Sequence, residues 1–476
     1  MGGRGFLAAF LSACITSGKD AIAFSVYDGE QITDIAYSQF AGDIMRAAGF
    51  FKEKRIFGQH IGLLSPNSYR WLVVAFGIIA SGNVAVPLNP ALPADLLRQQ
   101  CAQADVTLLW QDDPTDDRPV SCMEKEQFLT DDALMQAAPI GLEDIHQAEP
   151  EETIILLATS GTTGKSKIAE CSLGNIQSYL SDVEEIIRFS DRMLLAVPLY
   201  HIMGLVSVLS RLRLFQTVCI GRGMKYVILD MPILNPAFVL MVPSQLESIV
   251  KLLKKAGTSE RRQKYIGTGL RAIAVGGAGV KLDLCSFMMQ LGIQVQSAYG
   301  MTETTGAGTW CVWDETNMGS IGKPYGRTHC RIENNELLIK GPSVIKGYYK
   351  DPEETSRVIV DGWLHTGDLS YCNEDGYYFF AGRKKNVIIL SNGENVNPEE
   401  IEAALGNCEA IEECLVYGDE KGICADVFAN DRETAAAYIK AYNETMPLTR
   451  QVYKVIYTAE PLPKTGSGKI GRKENM

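Results

Sequence analysis

The sequence predicts an α/β protein: a large N-terminal domain of layered sheets with helices and a small β lobe, followed by a small α+β C-terminal domain. Three observations carry this. Short apolar runs alternate with stretches of helical period from Ile61 to Tyr299. The pattern turns to short alternating strands between Arg327 and Tyr349. A basic break, Gly382-Arg-Lys-Lys, then precedes a stretch with strands and helices of its own. The division falls at residues 1–382 and 383–476.

Near the start, Phe6, Phe10 and Leu11 fall on one face of a first helix. Leu11-Ser-Ala-Cys14 resembles a lipoprotein cleavage box, but a single basic residue, Arg4, and the minimal apolar stretch Gly5 to Ala13 argue against export. Phe6 stands where an N-myristoylation pattern needs Ser or Thr. The runs Ile61-Gly-Leu-Leu, Val84-Ala-Val-Pro and Val106-Thr-Leu-Leu-Trp read as strands, separated by helical stretches at Tyr69 to Ser81 and Pro93 to Gln103. Such alternation builds parallel layers. Further strands are expected at Arg192 to Pro198, Thr217 to Ile220, Ala237 to Val242, Leu270 to Gly276 and Gln294 to Tyr299, each ending at a Gly, Pro or polar cluster. In open α/β sheets ligands bind at those carboxyl ends. Glu336-Leu-Leu-Ile-Lys, followed by Gly341-Pro, marks the β lobe. The last ninety or so residues give a helix at Pro398 to Leu405, strands near Glu413 to Tyr417 and Ala425 to Ala429, a helix at Arg432 to Glu444 and a strand at Val452 to Tyr457.

Composition narrows the function. With 476 residues, 46% apolar and 21% charged, the chain is composed as a water-soluble globular protein, and no apolar run approaches the roughly 20 residues of a membrane span. Integral membrane association is therefore not expected. A net charge of −12, with basic residues scattered among acidic ones, argues against nucleic acid as a partner. The twelve cysteines are far apart, and even the nearest pair, Cys408 and Cys414, lacks CxxC spacing. Reduced thiols in a cytoplasmic protein are expected.

The sharpest local signal is Ile154-Ile-Leu-Leu-Ala-Thr159-Ser160-Gly161-Thr162-Thr163-Gly164-Lys165-Ser-Lys167, an apolar strand running into a loop of small, hydroxylated and glycine residues. Such a loop aims many N–H and O–H donors at a phosphate, because small side chains let the backbone approach. Gly164-Lys165-Ser166 matches the end of the nucleotide-binding P-loop, but Thr159 stands where its first glycine belongs. Alone, such a string is more often a Ser/Thr/Gly-rich surface turn. It is joined by Tyr299-Gly-Met-Thr302-Glu303, Gly362-Trp-Leu-His-Thr-Gly-Asp368, Gly382-Arg383 and Pro463-Lys-Thr-Gly-Ser-Gly-Lys469-Ile. With these motifs in this order, from about Ile32 to Arg472, the sequence resembles the superfamily of acyl-CoA synthetases, peptide-synthetase adenylation domains and luciferases.

The resemblance implies an AMP-forming acid–thiol ligase that uses ATP and Mg²⁺ to adenylate a carboxylic acid and passes the acyl group to coenzyme A or to the phosphopantetheine of an acyl or aryl carrier protein. It implies that Thr159 to Lys167 hold the β- and γ-phosphates. Gly277 and Ala278, after the strand Leu270 to Val275, would lie along adenine, although a βα turn made for packing reads the same way. Tyr299 would pack on adenine, Thr302 would bond the α-phosphate and Glu303 would hold Mg²⁺, a hard cation suited to carboxylate and phosphate oxygens. Asp368 would accept from both ribose hydroxyls, and Arg383 would donate to the same sugar. Lys469 would bridge the carboxylate and the α-phosphate, whose unit charges repel by about 4 kcal/mol at about 4 Å and an effective dielectric near 20. His201, in Pro198-Leu-Tyr-His-Ile-Met-Gly204, would gate or orient at the mouth of the acyl pocket; a core histidine is the plain alternative. Lys385 matches the hinge about which the small domain rotates, bringing Ser391-Asn-Gly-Glu-Asn395 to the thiol tunnel.

Two departures stand out. Ser297 occupies a place where many relatives have Asn beside adenine, and Asn392 replaces a common Gly. The region His201-Ile-Met-Gly-Leu-Val-Ser has no anion to pair with an α-amino group, which favours an uncharged acyl or aryl acid. The run Leu390 to Ile401 looks most like fatty acyl-CoA synthetases, so a medium- or long-chain fatty acid with coenzyme A is the expected pair. The rivals are a carrier-protein-loading acyl- or aryl-AMP ligase, a P-loop NTPase, which Thr159 and the Lys469 motif oppose, and a nucleotide-binding pseudoenzyme, which Glu303, Asp368 and Lys469 oppose.

Overall fold

The structure is a computed structural model that describes residues 5–112, 128–159, 167–187, 191–276, 280–390, 394–419, 421–463 and 470–472. Two large sheets dominate. The first runs, edge to edge, Lys323–Pro324, Gly308–Val312, Gln294–Gly300, Ala272–Val275, Phe238–Met241, Arg192–Leu195, Thr217–Ile220, Ile22–Tyr27, Ile32–Ala36. Its middle is parallel and its two ends are antiparallel. Phe238–Met241 and Ala272–Val275 are buried at every position, as parallel strands covered on both faces must be. That is why they are continuous Val, Ile, Leu, Met, Phe and Ala runs.

The second sheet has the order Phe128–Leu129, Val106–Gln111, His60–Leu64, Val84–Leu88, Thr153–Thr159, Lys167–Ser172. It is parallel except for its last pair, in which Thr159 and Lys167 are register partners. Helices Tyr69–Ala80, Leu173–Ile187 and Ile202–Arg213 contribute Trp71, Leu72, Ile176, Leu180, Leu205 and Leu212 to one core spanning both sheets. The first helix is Phe6–Ile15; Leu7, Ala8, Leu11 and Cys14 form its buried face, while Phe6 and Phe10 pack beside it.

The β lobe extends further than the sequence pattern indicated. Trp363–Cys372 and Tyr378–Arg383 are strands of the same five-stranded sheet as His329–Glu333 and Glu336–Lys340, so the Gly362 to Asp368 motif lies within the lobe and not beyond it. The alternation that would reveal Trp363–Cys372 is masked because its inward positions are Leu364, Thr366, Asp368 and Ser370, mostly polar yet buried. Beyond Arg383 a single 3₁₀ turn, Lys384–Asn386, leads to a second core built by Pro398–Leu405, Ile411–Asp419, Gly422–Ala429, Arg432–Thr445 and Val452–Tyr457. Among the described residues no helix is long and apolar enough to cross a membrane.

Candidate active site

Thr159 closes its strand in a buried position, and the chain returns at Lys167 directly across the ladder. The loop residues Ser160, Gly161, Thr162, Thr163, Gly164 and Lys165 lie outside the described residues, but a two-stranded clamp fixes both ends of their span. Lys167 turns to the side: its ammonium pairs with Glu354 and sits 5.3 Å from the centre of the Tyr348 ring. Glu354 also takes two bonds from Arg357, at 2.7 and 2.5 Å. The Arg357 hydrogen bonds, followed by those of Lys167, pull the Glu354 carboxyl down to about 2, so it stays ionised at any physiological pH.

The next strand ends supply the rest. Ala272–Val275 stops at Gly276, where a side chain would come 3.2 Å from Met203 Sδ; Gly277 and Ala278 follow outside the described residues. Gln294–Gly300 delivers Tyr299, and a 3₁₀ turn, Thr302–Thr304, follows at once. That turn is rigid. Thr305 takes a left-handed φ of 54° with its hydroxyl on Ser343 O at 2.8 Å, and Thr304 Oγ1 donates to Ala307 O at 2.5 Å. Glu303 is buried within it, one carboxylate oxygen accepting from Tyr348 Oη at 2.7 Å.

Asp368 and Arg383 are cross-strand partners, which the sequence could not show. Asp368 is 1% exposed, with Arg383 Nε 2.6 Å from Oδ1 and Tyr299 Oη donating to Oδ2 at 2.5 Å. Burial, followed by the Asp368 charge, holds the Tyr299 phenol well above its ordinary range and keeps it a donor. The tyrosine expected on adenine is thus tied through its hydroxyl to the residue expected on ribose.

His201 directly precedes the Ile202–Arg213 helix with an extended backbone, its ring 4.7 Å from that of Tyr200. The first turn of this helix faces two glycines. Gly276 lies against Met203, and a side chain at Gly306, where φ is +81°, would meet Val206 Cγ2 at 3.0 Å with Tyr179 and Ile202 behind it. Among these described neighbours none is charged.

Lys385 sits mid-turn in Lys384–Asn386. Its neighbours reach in opposite directions. Lys384 Nζ donates to Glu336 Oε2 of the β lobe at 2.9 Å, and Asn386 Nδ2 donates to Glu399 Oε1 of the Pro398–Leu405 helix at 2.6 Å. Lys469 lies outside the described residues. The flanks of its segment are anchored: Gly471 N donates to Pro463 O at 2.8 Å, and Arg472 bonds Glu402 at 2.8 and 2.7 Å and Val416 O at 2.8 Å. Sequence reasoning missed Tyr348, Glu354 and Arg472. Only the dense Gly347-Tyr-Tyr-Lys-Asp-Pro punctuation between strands of the lobe offered any signal for the first two.

Comparison with known proteins identifies the family and the fold. The model of the AMP-binding enzyme family matches residues 13–349, and that of the AMP-binding enzyme C-terminal domain matches residues 385–476. A 2-succinylbenzoate–CoA ligase of Oceanobacillus iheyensis is 27% identical over 97% of this chain and 96% of its own. A long-chain-fatty-acid–CoA ligase of Mycobacterium bovis is 23% identical over 87% and 80%. The o-succinylbenzoate CoA synthetase of Bacillus subtilis, solved with its acyl-adenylate intermediate, shares the fold, with a TM-score of 0.85 and 23% identity over 97% of this chain and 96% of that one.

Proposed function

This chain belongs to the AMP-binding enzyme family, and from that premise we propose that it adenylates an apolar carboxylic acid with ATP and transfers the acyl group to coenzyme A. The observation that carries the reading is Asp368, a buried carboxylate set between Tyr299 and Arg383, of the acceptor type that a ribose hydroxyl requires. Oxygen donors suit the divalent cation that accompanies ATP, and Glu303 presents a carboxylate oxygen not held by Tyr348. Mg²⁺, when bound, would screen phosphate charge against the incoming carboxylate. The chain's own residues do the remaining work. The Thr159 to Lys167 segment holds the phosphates, Thr302 bonds the α-phosphate, Arg383 shares the ribose with Asp368, and Lys469 bridges acid and phosphate. Coenzyme A is favoured over a carrier protein as acceptor because both relatives named above are CoA ligases.

The reading extends to a medium-chain fatty acid. One turn beyond His201, Leu205 enters the wall of an apolar cavity of about 270 Å³, shared by Leu209 and Leu212 of the same helix, by Trp71 and Phe76, and by Phe6 and Phe10 of the first helix. Scaled from a cavity of about 150 Å³ that holds benzene, this accommodates roughly ten carbons. An aryl acid is the second reading, favoured by the 2-succinylbenzoate relative.

Acid-dependent exchange of labelled pyrophosphate into ATP, run over alkyl and aryl acids, tests all of this. Alkyl acids of about eight to twelve carbons are expected to stimulate it most. Leu209→Trp, which fills the cavity, should lower kcat/KM for decanoate about tenfold while sparing butyrate. Stimulation by aryl acids alone would hand the site to the second reading, and stimulation by none would end the ligase reading.

Two further variants separate the metal from the sugar. Glu303→Gln is expected to raise the Mg²⁺ concentration for half-maximal exchange about tenfold or more. Asp368→Ala should weaken ATP binding about 10²-fold, the worth of two hydrogen bonds to a charged group, with the Mg²⁺ midpoint unchanged. Identical metal titrations for parent and both variants would refute this separation.

A further inference from the structure

Glu303 and Tyr348 are 45 positions apart, yet the phenol of one is held against the carboxylate of the other at 2.7 Å, both 7% exposed. We propose that Tyr348 is a positioning residue that aims the Glu303 carboxylate at the divalent cation of bound ATP; the inference rests on the assignment of Glu303 to that cation.

Glu303 is tied at both ends to the segment carrying Tyr348. Its backbone carbonyl accepts from Ile345 N at 2.9 Å, and its Oε1 accepts from Tyr348 Oη. With Oε1 occupied, rotation of the carboxylate is restricted and Oε2 is the oxygen left for a hard cation. A carboxylate that coordinates a metal gains affinity when a neighbour fixes its orientation, because the ordering cost is met before the ion arrives.

Tyr348 is itself seated by the strand that leaves the phosphate loop. Tyr349 N donates to Ile168 O at 2.7 Å, Glu170 N donates to Gly347 O at 3.1 Å, and the Lys167 ammonium lies over the Tyr348 ring. On the other side Tyr348 N donates to Thr355 Oγ1 at 2.9 Å, midway along the Pro352–Val358 helix that supplies Glu354 and Arg357. The orientation of Glu303 is thereby referred to the end of the phosphate loop. The metal carboxylate and the phosphate cradle share one frame.

Tyr348→Phe removes one oxygen and tests the role. Binding of Mn²⁺ in the presence of ATP, followed by electron paramagnetic resonance, is expected to weaken about 10- to 100-fold. The Mg²⁺ midpoint of pyrophosphate exchange should rise by the same factor, and saturating Mg²⁺ should restore the parent's maximal rate. A residue needed only for folding would not be rescued by metal. Glu303→Gln, measured first, examines the assignment beneath the inference: unchanged metal binding there would remove Glu303 from the cation. If Glu303→Gln weakens metal binding and Tyr348→Phe does not, the positioning role alone fails. The double variant should be no worse than Glu303→Gln, since Tyr348 acts through that carboxylate. Additive losses, or a loss in Tyr348→Phe that metal does not rescue, would overturn the proposal.

Discussion

Lys469→Ala is expected to slow acyl-adenylate formation by about 10² to 10³, the loss that follows removal of one preorganised donor at a developing charge. Transfer of the acyl group from supplied acyl-adenylate should survive, because the lysine's charge is needed only while the carboxylate approaches phosphorus. The anchoring of its flanks sharpens the expectation. With Gly471 bonded to Pro463 and Arg472 fixed on Glu402 and Val416, a change at position 469 is insulated from the fold of the last ninety residues. Pyrophosphate exchange and thioester release, measured on the same preparation, give the two rates. Unchanged exchange in the variant would remove Lys469 from the first step.

Lys385→Pro is expected to leave pyrophosphate exchange largely intact and to reduce thioester formation about 10²-fold, comparable to the cost of a small misplacement of reacting groups. A 3₁₀ turn holds φ near −50 to −70°, within the range proline imposes, so the substitution suits the backbone of Lys384–Asn386 and opposes departure from it. The bracketing contacts show why this position would bear the rotation. Lys384 is held by Glu336 in the β lobe and Asn386 by Glu399 in the last domain, so a swing of that domain must be absorbed between them. Equal loss of both steps would indicate a misfolded turn, and equal retention would mean that no rotation about Lys385 is needed.

The alternation of strand and helix, the helix Pro398–Leu405 and the strands Thr217–Ile220 and Val452–Tyr457 were legible from periodicity and punctuation, since local burial writes a period of 2 or 3.6 into the chain. Thr159, Thr302, Glu303, Asp368, Arg383 and Lys469 were nominated through the family resemblance, as residue types able to serve phosphate, sugar and cation. The β lobe was cut short because Trp363–Cys372 buries Thr366, Asp368 and Ser370 on its inward face, and polar residues there erase the apolar alternation.

Sequence alone thus determined the fold class, which depends on residue type and local spacing, and nominated the candidate site residues. Only the tertiary structure decided the pairings: Asp368 opposite Arg383 through strand register, Tyr299 on Asp368, Tyr348 on Glu303 and Lys167 on Glu354. Each joins residues from separate elements, and no local period records which side chains a fold will bring within hydrogen-bond reach. The physical reason is that such contacts are set by the packing of whole sheets and lobes, whose energy is spread over many residues remote from the pair.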